Sequence, residues 1–409
     1  MNKIYESYRA LNKENPPPAI GVYTGTGASH SWLWFVDIFN RMGFYDLYFL
    51  DEHSVRENKL NGINTLAVSG GDTFAIAKGL GEKGAEVIKN FINRGGRYIG
   101  SCAGAYLPLN SSKDHLNMFN FANVKIANLV KILPEARQMK EKFYTAYGCS
   151  YIFHPVREEI SLKTTGVAPF GSGVRLLAPL YGGPALIAWD TTSILAKYEK
   201  FTNKTLFLTD PQIAHDTVIG KAAAVRTSMG KGHLFLFGPH FEHPDFPQAN
   251  ALLAEAIYWE NNYVIRNKKQ YTNSNVVIKG DKAKNFLFDI RRELSNSRII
   301  AYSMEMLPFY WLIGNKVYEP SKILVFIEAM WSRLKELERS DLLYLLTDSE
   351  EHILCAAKNV TSALRNIKLF MTDKMDSTEP ARELFLYLNI MASRFMEIYF
   401  NTIKFFDHP

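Results

Sequence analysis

Four short apolar segments alternate with helix-forming segments along the first hundred residues of this chain. Apolar residues recur at helical spacing from Ser29, a candidate helix cap, to about Met42, and again over 85–93. Strands that are apolar throughout and alternate with helices are typical of a parallel sheet covered by helices on both faces. We therefore predict an α/β fold with a doubly wound, mainly parallel sheet, whose first strands are at residues 19–24, 45–50, 65–68 and 98–101.

The remainder of the chain changes character twice. A polar segment over 111–148 resembles a helical insertion, and the chain is then strand-rich to about residue 238 before a closing helix pattern over 247–262. Residues 265–281 are polar and weakly periodic, which predicts a linker. Apolar residues at three- and four-residue spacing then predict an all-α bundle of about four to six helices. The expected organisation is an α/β domain over 1–264, a linker over 265–281 and a helical domain over 282–409.

Charge and cysteine content argue against several classes of function. The formal net charge is +6 over 409 residues without a block of Lys and Arg, so nucleic-acid binding is not favoured. Cys102, Cys149 and Cys355 form no CxxC pair, which argues against a zinc ribbon or a disulfide scaffold and for a reducing compartment. No secretory signal or membrane-spanning segment is visible. We expect a cytoplasmic protein with no metal, no cofactor, no nucleic-acid partner and no membrane partner.

One cysteine has the sequence setting of a nucleophile. Cys102 lies in the pentapeptide Gly100-Ser101-Cys102-Ala103-Gly104, directly after a predicted strand and before a predicted helix. Two glycines relieve crowding at a sharp strand-to-helix turn, and the partial positive charge of a helix N-terminus favours the thiolate, which is the reactive form. A buried structural cysteine beside a glycine-rich turn is the alternative interpretation.

A nucleophilic cysteine needs a base and a group that orients the base. His240 follows the apolar segment LFLFG, and Glu242 comes two residues later, on the same side of an extended chain. Glu242 can therefore accept a hydrogen bond from one imidazole nitrogen and leave the other nitrogen for the thiol. A solvated His-Glu pair in a loop is the alternative, and His243 is a second, less well placed base.

Backbone amides are the predicted donors to an oxyanion. Gly70 and Gly71 follow the third predicted strand, and Ala103 follows the nucleophile directly. Glycines allow the backbone to approach a substrate closely, so we predict that the Gly71 and Ala103 N–H groups bind the oxyanion. Asp72 and Thr73 are expected to be helix caps and not catalytic groups.

These motifs resemble the class I glutamine amidotransferase-like superfamily, and within it the domain found at the N-terminus of eukaryotic biotin–protein ligases. The similarity covers about residues 19–262 and implies a flavodoxin-like sheet with Cys102, His240 and Glu242 as a catalytic triad. No family is recognised in the C-terminal helical region. The matching segments are GVYTGTGAS (21–29), VSGGD (68–72), NRGGRYIGSCAGAY (93–106), YGGPA (181–185) and FGPHFEHP (237–244).

The sequence departs from this pattern at a substrate-binding position. Tyr106 lies four residues after the nucleophile, where glutamine-using members carry Gln, and the adenylate-forming loop of a biotin ligase is absent from the sequence. We therefore expect a cysteine-dependent amidohydrolase or amidotransferase-like enzyme that acts on a small-molecule or peptide amide, glutamine or another. The alternative is a non-catalytic ligand-binding or regulatory module. In either case residues 282–409 are a candidate surface for a protein partner.

Overall fold

The computed structural model describes residues 3–14, 17–132, 151–189, 192–260, 275–305, 307, 309–339, 342–346 and 349–407. They divide into two compact units, the first containing most residues up to 260 and the second most residues from 275 onward. Cys149, residues 133–148 of the predicted insertion and most of the predicted linker lie outside the described residues. The described part of that insertion, 111–132, contains one short strand and two 3₁₀ turns and not the expected α-helix. No helix in the described part of the chain is long and apolar enough to cross a membrane.

The first unit is built on one mixed sheet with helices, so the predicted α/β class is confirmed. Its strands are β1 (Ile20–Tyr23), β2 (Leu47–Leu50), β3 (Thr65–Val68), β4 (Arg97–Ser101), β5 (Val124–Ile126), β6 (Val156–Thr165), β7 (Ser172–Pro179), β8 (Leu186–Ala188), β9 (Ser193–Phe207), β10 (Ala222–Met229) and β11 (Gly232–Phe237). Its helices are α1 (Lys3–Glu14), α2 (Trp32–Met42), α3 (Glu52–Arg56), α4 (Thr73–Asn93), α5 (Ala103–Tyr106), α6 (Pro211–Val218) and α7 (Pro247–Tyr258). Single 3₁₀ turns cover Lys59–Gly62, Asn117–Phe119 and Val130–Ile132.

Strand order places the ends of three parallel strands side by side. The order is β2-β1-β3-β4-β11-β10-β9-β6-β7, with β5 pairing β8 and β8 pairing β10. β3, β4 and β11 are mutually parallel, with Val68 opposite Gly100 and Phe237 opposite Ser101. From β11 to β7 the pairing is antiparallel. The residues that follow β3, β4 and β11 therefore meet at one edge of the sheet, where parallel sheets bind their ligands.

Two helix starts differ from the expected ones for a local reason. Helix α4 begins at Thr73, twelve residues earlier than predicted, because Asp72 Oδ1 accepts hydrogen bonds from the Phe74 and Ala75 N–H groups at 3.0 and 3.2 Å. The predicted cap at Asp72 is confirmed. Thr73 is not a cap, since its hydroxyl donates to the Ala103 carbonyl oxygen instead.

Helix α2 begins after Ser31 and not after Ser29, the predicted cap. The Ser29 hydroxyl donates instead to the Gly70 carbonyl oxygen.

The second unit is mainly helical, as predicted. Its four described helices are α8 (Gly280–Glu305), α9 (Ser321–Leu337), α10 (Ser349–Thr372) and α11 (Thr378–Asp407). Two small strand pairs were not expected. One joins β12 (Asn275–Lys279) and β15 (Leu342–Leu346), which are antiparallel, and the other joins β13 (Trp311–Ile313) and β14 (Lys316–Tyr318). Strands of three to five residues are too short to give a clear alternation in the sequence.

Candidate functional site

Cys102 occupies a strained turn between β4 and α5. Its φ of 51° and ψ of −108° lie in a region that residues other than glycine rarely adopt. The flanking glycines are required by close backbone contacts: a Cβ on Gly100 would lie 2.3 Å from the Gly104 carbonyl oxygen, and a Cβ on Gly104 would lie 2.0 Å from the Val68 carbonyl oxygen. The Cys102 N–H donates to the Phe237 carbonyl oxygen at 3.0 Å. The strain and the packing hold the thiol at the strand-end edge of the sheet.

His240 reaches this thiol from the neighbouring strand. His240 lies three residues beyond the end of β11, and its backbone N–H donates to the Pro179 carbonyl oxygen at 2.9 Å. His240 Nδ1 is 2.7 Å from Glu242 Oε1, so the other ring nitrogen, Nε2, faces away from the carboxylate. The Cys102 thiol is close enough to the imidazole to contribute to the raised pKa of His240. The structure thus brings together the three residues that the sequence predicted as nucleophile, base and orienting group.

The charge of Glu242 controls the protonation of His240. Burial alone lowers the pKa of His240, but the Glu242 carboxylate and the hydrogen bonds to Cys102 and Glu242 raise it to about 9. Glu242 is fully buried, and its Oε2 accepts no hydrogen bond from the described residues. A buried carboxylate with so few donors is strongly stabilised by a positive partner, so the pair favours the imidazolium form.

Two backbone amides at this edge remain available to a ligand. Within the described part of the chain, neither the Gly71 N–H nor the Ala103 N–H donates to a protein acceptor. Gly70 borders the imidazole, since a Cβ built on it would lie 2.8 Å from His240 Cε1. Gly70 therefore lies beside the predicted base, and Ala103 directly follows the predicted nucleophile.

Aromatic side chains surround the imidazole. The Trp34 ring lies perpendicular to the His240 ring at 5.1 Å, and Trp34 also packs against Tyr181. The Tyr181 carbonyl oxygen lies 3.8 Å from Cys102 Sγ. His243, the alternative base, packs on Trp34 at 4.5 Å, and its Nδ1 lies 4.0 Å from a carboxylate oxygen of the exposed Asp245. His240, and not His243, therefore has the buried carboxylate.

Tyr106 lies four residues after Cys102 and is the predicted substrate-binding residue. Its side chain is half-buried, and its hydroxyl lies 3.5 Å from Asn128 Nδ2. Asn128 is itself fixed, because Nδ2 donates to the Phe153 carbonyl oxygen and Oδ1 accepts from the Ala185 N–H. The structure thus provides a phenol hydroxyl on a rigid support at this position.

Sequence reasoning did not identify the residues that hold the His240 loop. Asn250, on α7, is fully buried and donates from Nδ2 to the Phe241 and His243 carbonyl oxygens at 2.6 and 3.0 Å. The Tyr5 hydroxyl, on α1, donates to Asn250 Oδ1 at 2.7 Å. An Asn at a position that the helix pattern buries was the available signal, since buried amides need partners.

No group of His, Cys, Asp and Glu among the described residues could hold a metal ion.

Residues 19–117 match the protein family described as "Biotin-protein ligase, N terminal". This match supports the predicted resemblance to the biotin–protein ligase N-terminal domain over that segment, which includes Gly70, Gly71 and Cys102 but ends before His240. A search of the curated proteins finds no match.

Solved structures give only distant likenesses. The cytoplasmic protein STM1381 from Salmonella typhimurium LT2 is 14% identical with a TM-score of 0.33, covering 58% of this chain and 98% of that chain. A ThuA-like protein from Bacteroides uniformis is 14% identical with a TM-score of 0.34, and the match covers 60% of this chain and 92% of that chain. A β-galactosidase from Bacillus circulans is 13% identical with a TM-score of 0.30. The match covers 58% of this chain but only 30% of that enzyme. Likenesses this weak assign no function.

Proposed function

We propose that the first unit is a cysteine-dependent amidohydrolase or glutamine amidotransferase-like enzyme. The observation that carries the proposal is the strained Cys102 turn beside a buried His240–Glu242 pair with a 2.7 Å contact. A structural cysteine has no need of an unfavourable backbone conformation or of a buried imidazole fixed by a carboxylate. The match of residues 19–117 to the biotin–protein ligase N-terminal family supports the fold in which such a site is expected.

The chemistry follows from the positions of the atoms. His240 Nε2 first takes the thiol proton, which forms the imidazolium that Glu242 favours. The Cys102 thiolate then bonds to the amide carbon, and the Gly71 and Ala103 N–H groups donate to the oxyanion. His240 then gives this proton to the leaving nitrogen as the C–N bond breaks, which leaves a thioester on Cys102. Water attacks the thioester with His240 as base, and the acid product and free thiol are released. Glu242 holds the ring and stabilises the imidazolium throughout.

The substrate in this proposal is a small-molecule or peptide amide. Tyr106 supplies a hydroxyl in place of a glutamine amide, and Trp34 and Tyr181 supply apolar area next to the reacting thiol. Glutamine and other primary or secondary amides are therefore compared in the same assay. We also propose a cytoplasmic location, which the free thiols of Cys102 and the exposed Cys355 support.

An activated ester tests the proposal without knowledge of the natural substrate. p-Nitrophenyl acetate should acetylate Cys102 and release nitrophenolate faster than it does with Cys102→Ala or His240→Ala, while Cys355→Ser, the matched cysteine control, should leave the rate unchanged. Peptide mapping locates the acetyl group, and release of ammonia from primary amides or of an amine from secondary amides then identifies the substrate. If the wild-type rate equals that of His240→Ala, the site is a ligand-binding or regulatory module, and the helical unit becomes the candidate surface for a protein partner.

A further inference from the structure

A cluster of three buried serines surrounds one carbonyl oxygen next to the candidate site. The Gly70 carbonyl oxygen accepts hydrogen bonds from the Ser29 N–H at 3.0 Å and from the Ser29 hydroxyl at 2.9 Å. The Ser31 and Ser69 hydroxyls lie 3.3 and 3.4 Å from the same oxygen. All three serines are buried, so these bonds are protected from exchange with water.

The three hydroxyls also support one another. Ser29 Oγ and Ser31 Oγ are 2.9 Å apart, and Ser31 Oγ is 3.2 Å from Ser69 Oγ. The Ser31 N–H approaches Ser29 Oγ at 3.4 Å. Because Ser29 makes the shortest side-chain bond to Gly70 and Ser31 holds Ser29, these two residues have the greatest influence on the direction of the Gly70 carbonyl.

The direction of this carbonyl sets the direction of a candidate oxyanion donor. The Gly70 carbonyl and the Gly71 N–H belong to the same planar peptide, and in a trans peptide they point in opposite directions. Holding the carbonyl on the serine cluster therefore turns the Gly71 N–H away from that cluster. A Cβ built on Gly70 would lie 2.9 Å from Ser31 Oγ and 2.8 Å from His240 Cε1, so Gly70 borders both the serine cluster and the imidazole.

We propose that Ser29 and Ser31 are positioning residues that fix the Gly70–Gly71 peptide so that the Gly71 N–H is presented to the oxyanion. This inference rests on the proposed function of the same site. Neither serine touches the reacting atoms in this assignment. Their hydroxyls add to the Ser29 N–H in restraining the rotation of a glycine-glycine peptide, which would turn the Gly71 N–H away from the developing charge.

The test compares two reactions of Cys102 that differ in their need for an oxyanion site. Iodoacetamide forms a C–S bond by displacement of iodide and develops no charge on a carbonyl oxygen. p-Nitrophenyl acetate passes through a tetrahedral oxyanion before nitrophenolate leaves. The double variant Ser29→Ala/Ser31→Ala should slow acetylation by roughly tenfold or more, below the ~10²–10³-fold loss of a whole donor, and should leave alkylation within about twofold.

Two further variants separate positioning from a general structural role. Ser297→Ala removes a buried hydroxyl from the second unit and should change neither rate. Ser29→Thr keeps a hydroxyl at the position with the shortest bond and should keep a near-normal ratio of acetylation to alkylation. The alkylation rate also reports whether each variant retains the folded site.

Each outcome decides the assignment. A selective loss of acetylation supports it, whereas an equal loss of both rates, or no loss of either, overturns it while the proposed function stands. If the wild-type protein itself acetylates no faster than His240→Ala, the proposed function fails and the positioning role fails with it.

Discussion

Glu242 Oε1 lies 2.7 Å from His240 Nδ1, and both side chains are buried. This contact fixes which imidazole nitrogen is left for Cys102, and it is the main reason why the pKa of His240 is raised in spite of burial. Burial without the carboxylate would leave the imidazole neutral and free to rotate. The candidate site therefore depends on Glu242, which makes no bond to the substrate in the proposed reaction.

His240→Ala should slow acetylation of Cys102 by about 10²–10⁴-fold, the usual contribution of a positioned general base. His243→Ala is the matched control, because His243 packs against the same Trp34 ring but lacks the buried carboxylate. Initial rates with p-nitrophenyl acetate measure both. Equal losses of rate in the two variants would show that the assignment of His240 as the base is wrong.

The stability of the protein should carry a pH-dependent contribution from His240 that Glu242→Gln removes. The pKa of His240 is raised to about 9 in the folded protein, above its ordinary value of 6.5, so its stabilisation is fully present below pH 6.5 and is lost as the pH rises to about 9. Urea unfolding should show that the variant is most destabilised relative to wild type near pH 6 and least near pH 9.5. A difference that stays constant across this range contradicts the assignment.

His154 should destabilise the fold in acid. Burial lowers the pKa of His154 to about 4, so the unfolded chain binds a proton at higher pH than the folded protein does. Stability is therefore present above pH 6.5 and is lost as the pH falls toward 4. His154→Gln should flatten this part of the unfolding curve, whereas His215→Gln, a change at an exposed histidine, should leave its slope intact.

Asn250→Ala should lower the free energy of unfolding by about 1–3 kcal/mol, because it leaves buried carbonyl groups of the His240 loop without a donor. Tyr5→Phe removes only the hydroxyl that donates to Asn250 and should cost less, about 0.5–1.5 kcal/mol. Both variants should also slow acetylation of Cys102, which Asn389→Ala in the second unit should not do. Normal acetylation by Asn250→Ala would show that the loop holds its position without this side chain.

Gly104→Ala should disrupt the turn at Cys102. The added methyl would lie 2.0 Å from the Val68 carbonyl oxygen, so the backbone must shift, at a cost of about 1–3 kcal/mol or more. We expect slower alkylation of Cys102 by iodoacetamide. Gly171→Ala is the control, since its methyl would meet nothing closer than 3.9 Å. Unchanged alkylation in Gly104→Ala would mean that the turn tolerates the shift.

The sequence alone identified the candidate site residues that lie close together along the chain. Cys102 with its two glycines, and His240 with Glu242, each lie within five consecutive residues, and the apolar segments before them indicate the strand ends. The α/β class followed from the alternation of strands and helices. The start of α4 was missed because Gly79, Gly81 and Gly84 weaken the helix pattern, and Gly81 interrupts the helix with a φ of 60°.

Residues that act through the fold could not be predicted in the same way. Ser29 reaches Gly70, and Tyr5 reaches Asn250, only because the chain brings distant segments together. A serine ahead of a helix is more often a cap, which is how Ser29 was interpreted. The direction of β10 relative to β11 was also hidden, since apolar strands look alike whether they run parallel or antiparallel.

The pairing of β4 with β11 has a consequence for the order of events during synthesis. The strand that presents Cys102 is complete once residue 101 has been made, but its second neighbour begins at Gly232. At ordinary translation speeds the ribosome needs about 10 s to add the residues between them. During that interval one edge of β4 is unpaired and the thiol has no imidazole beside it. If Cys102 acts as we propose, it acquires its base only when β11 pairs with β4 and brings His240 to the thiol.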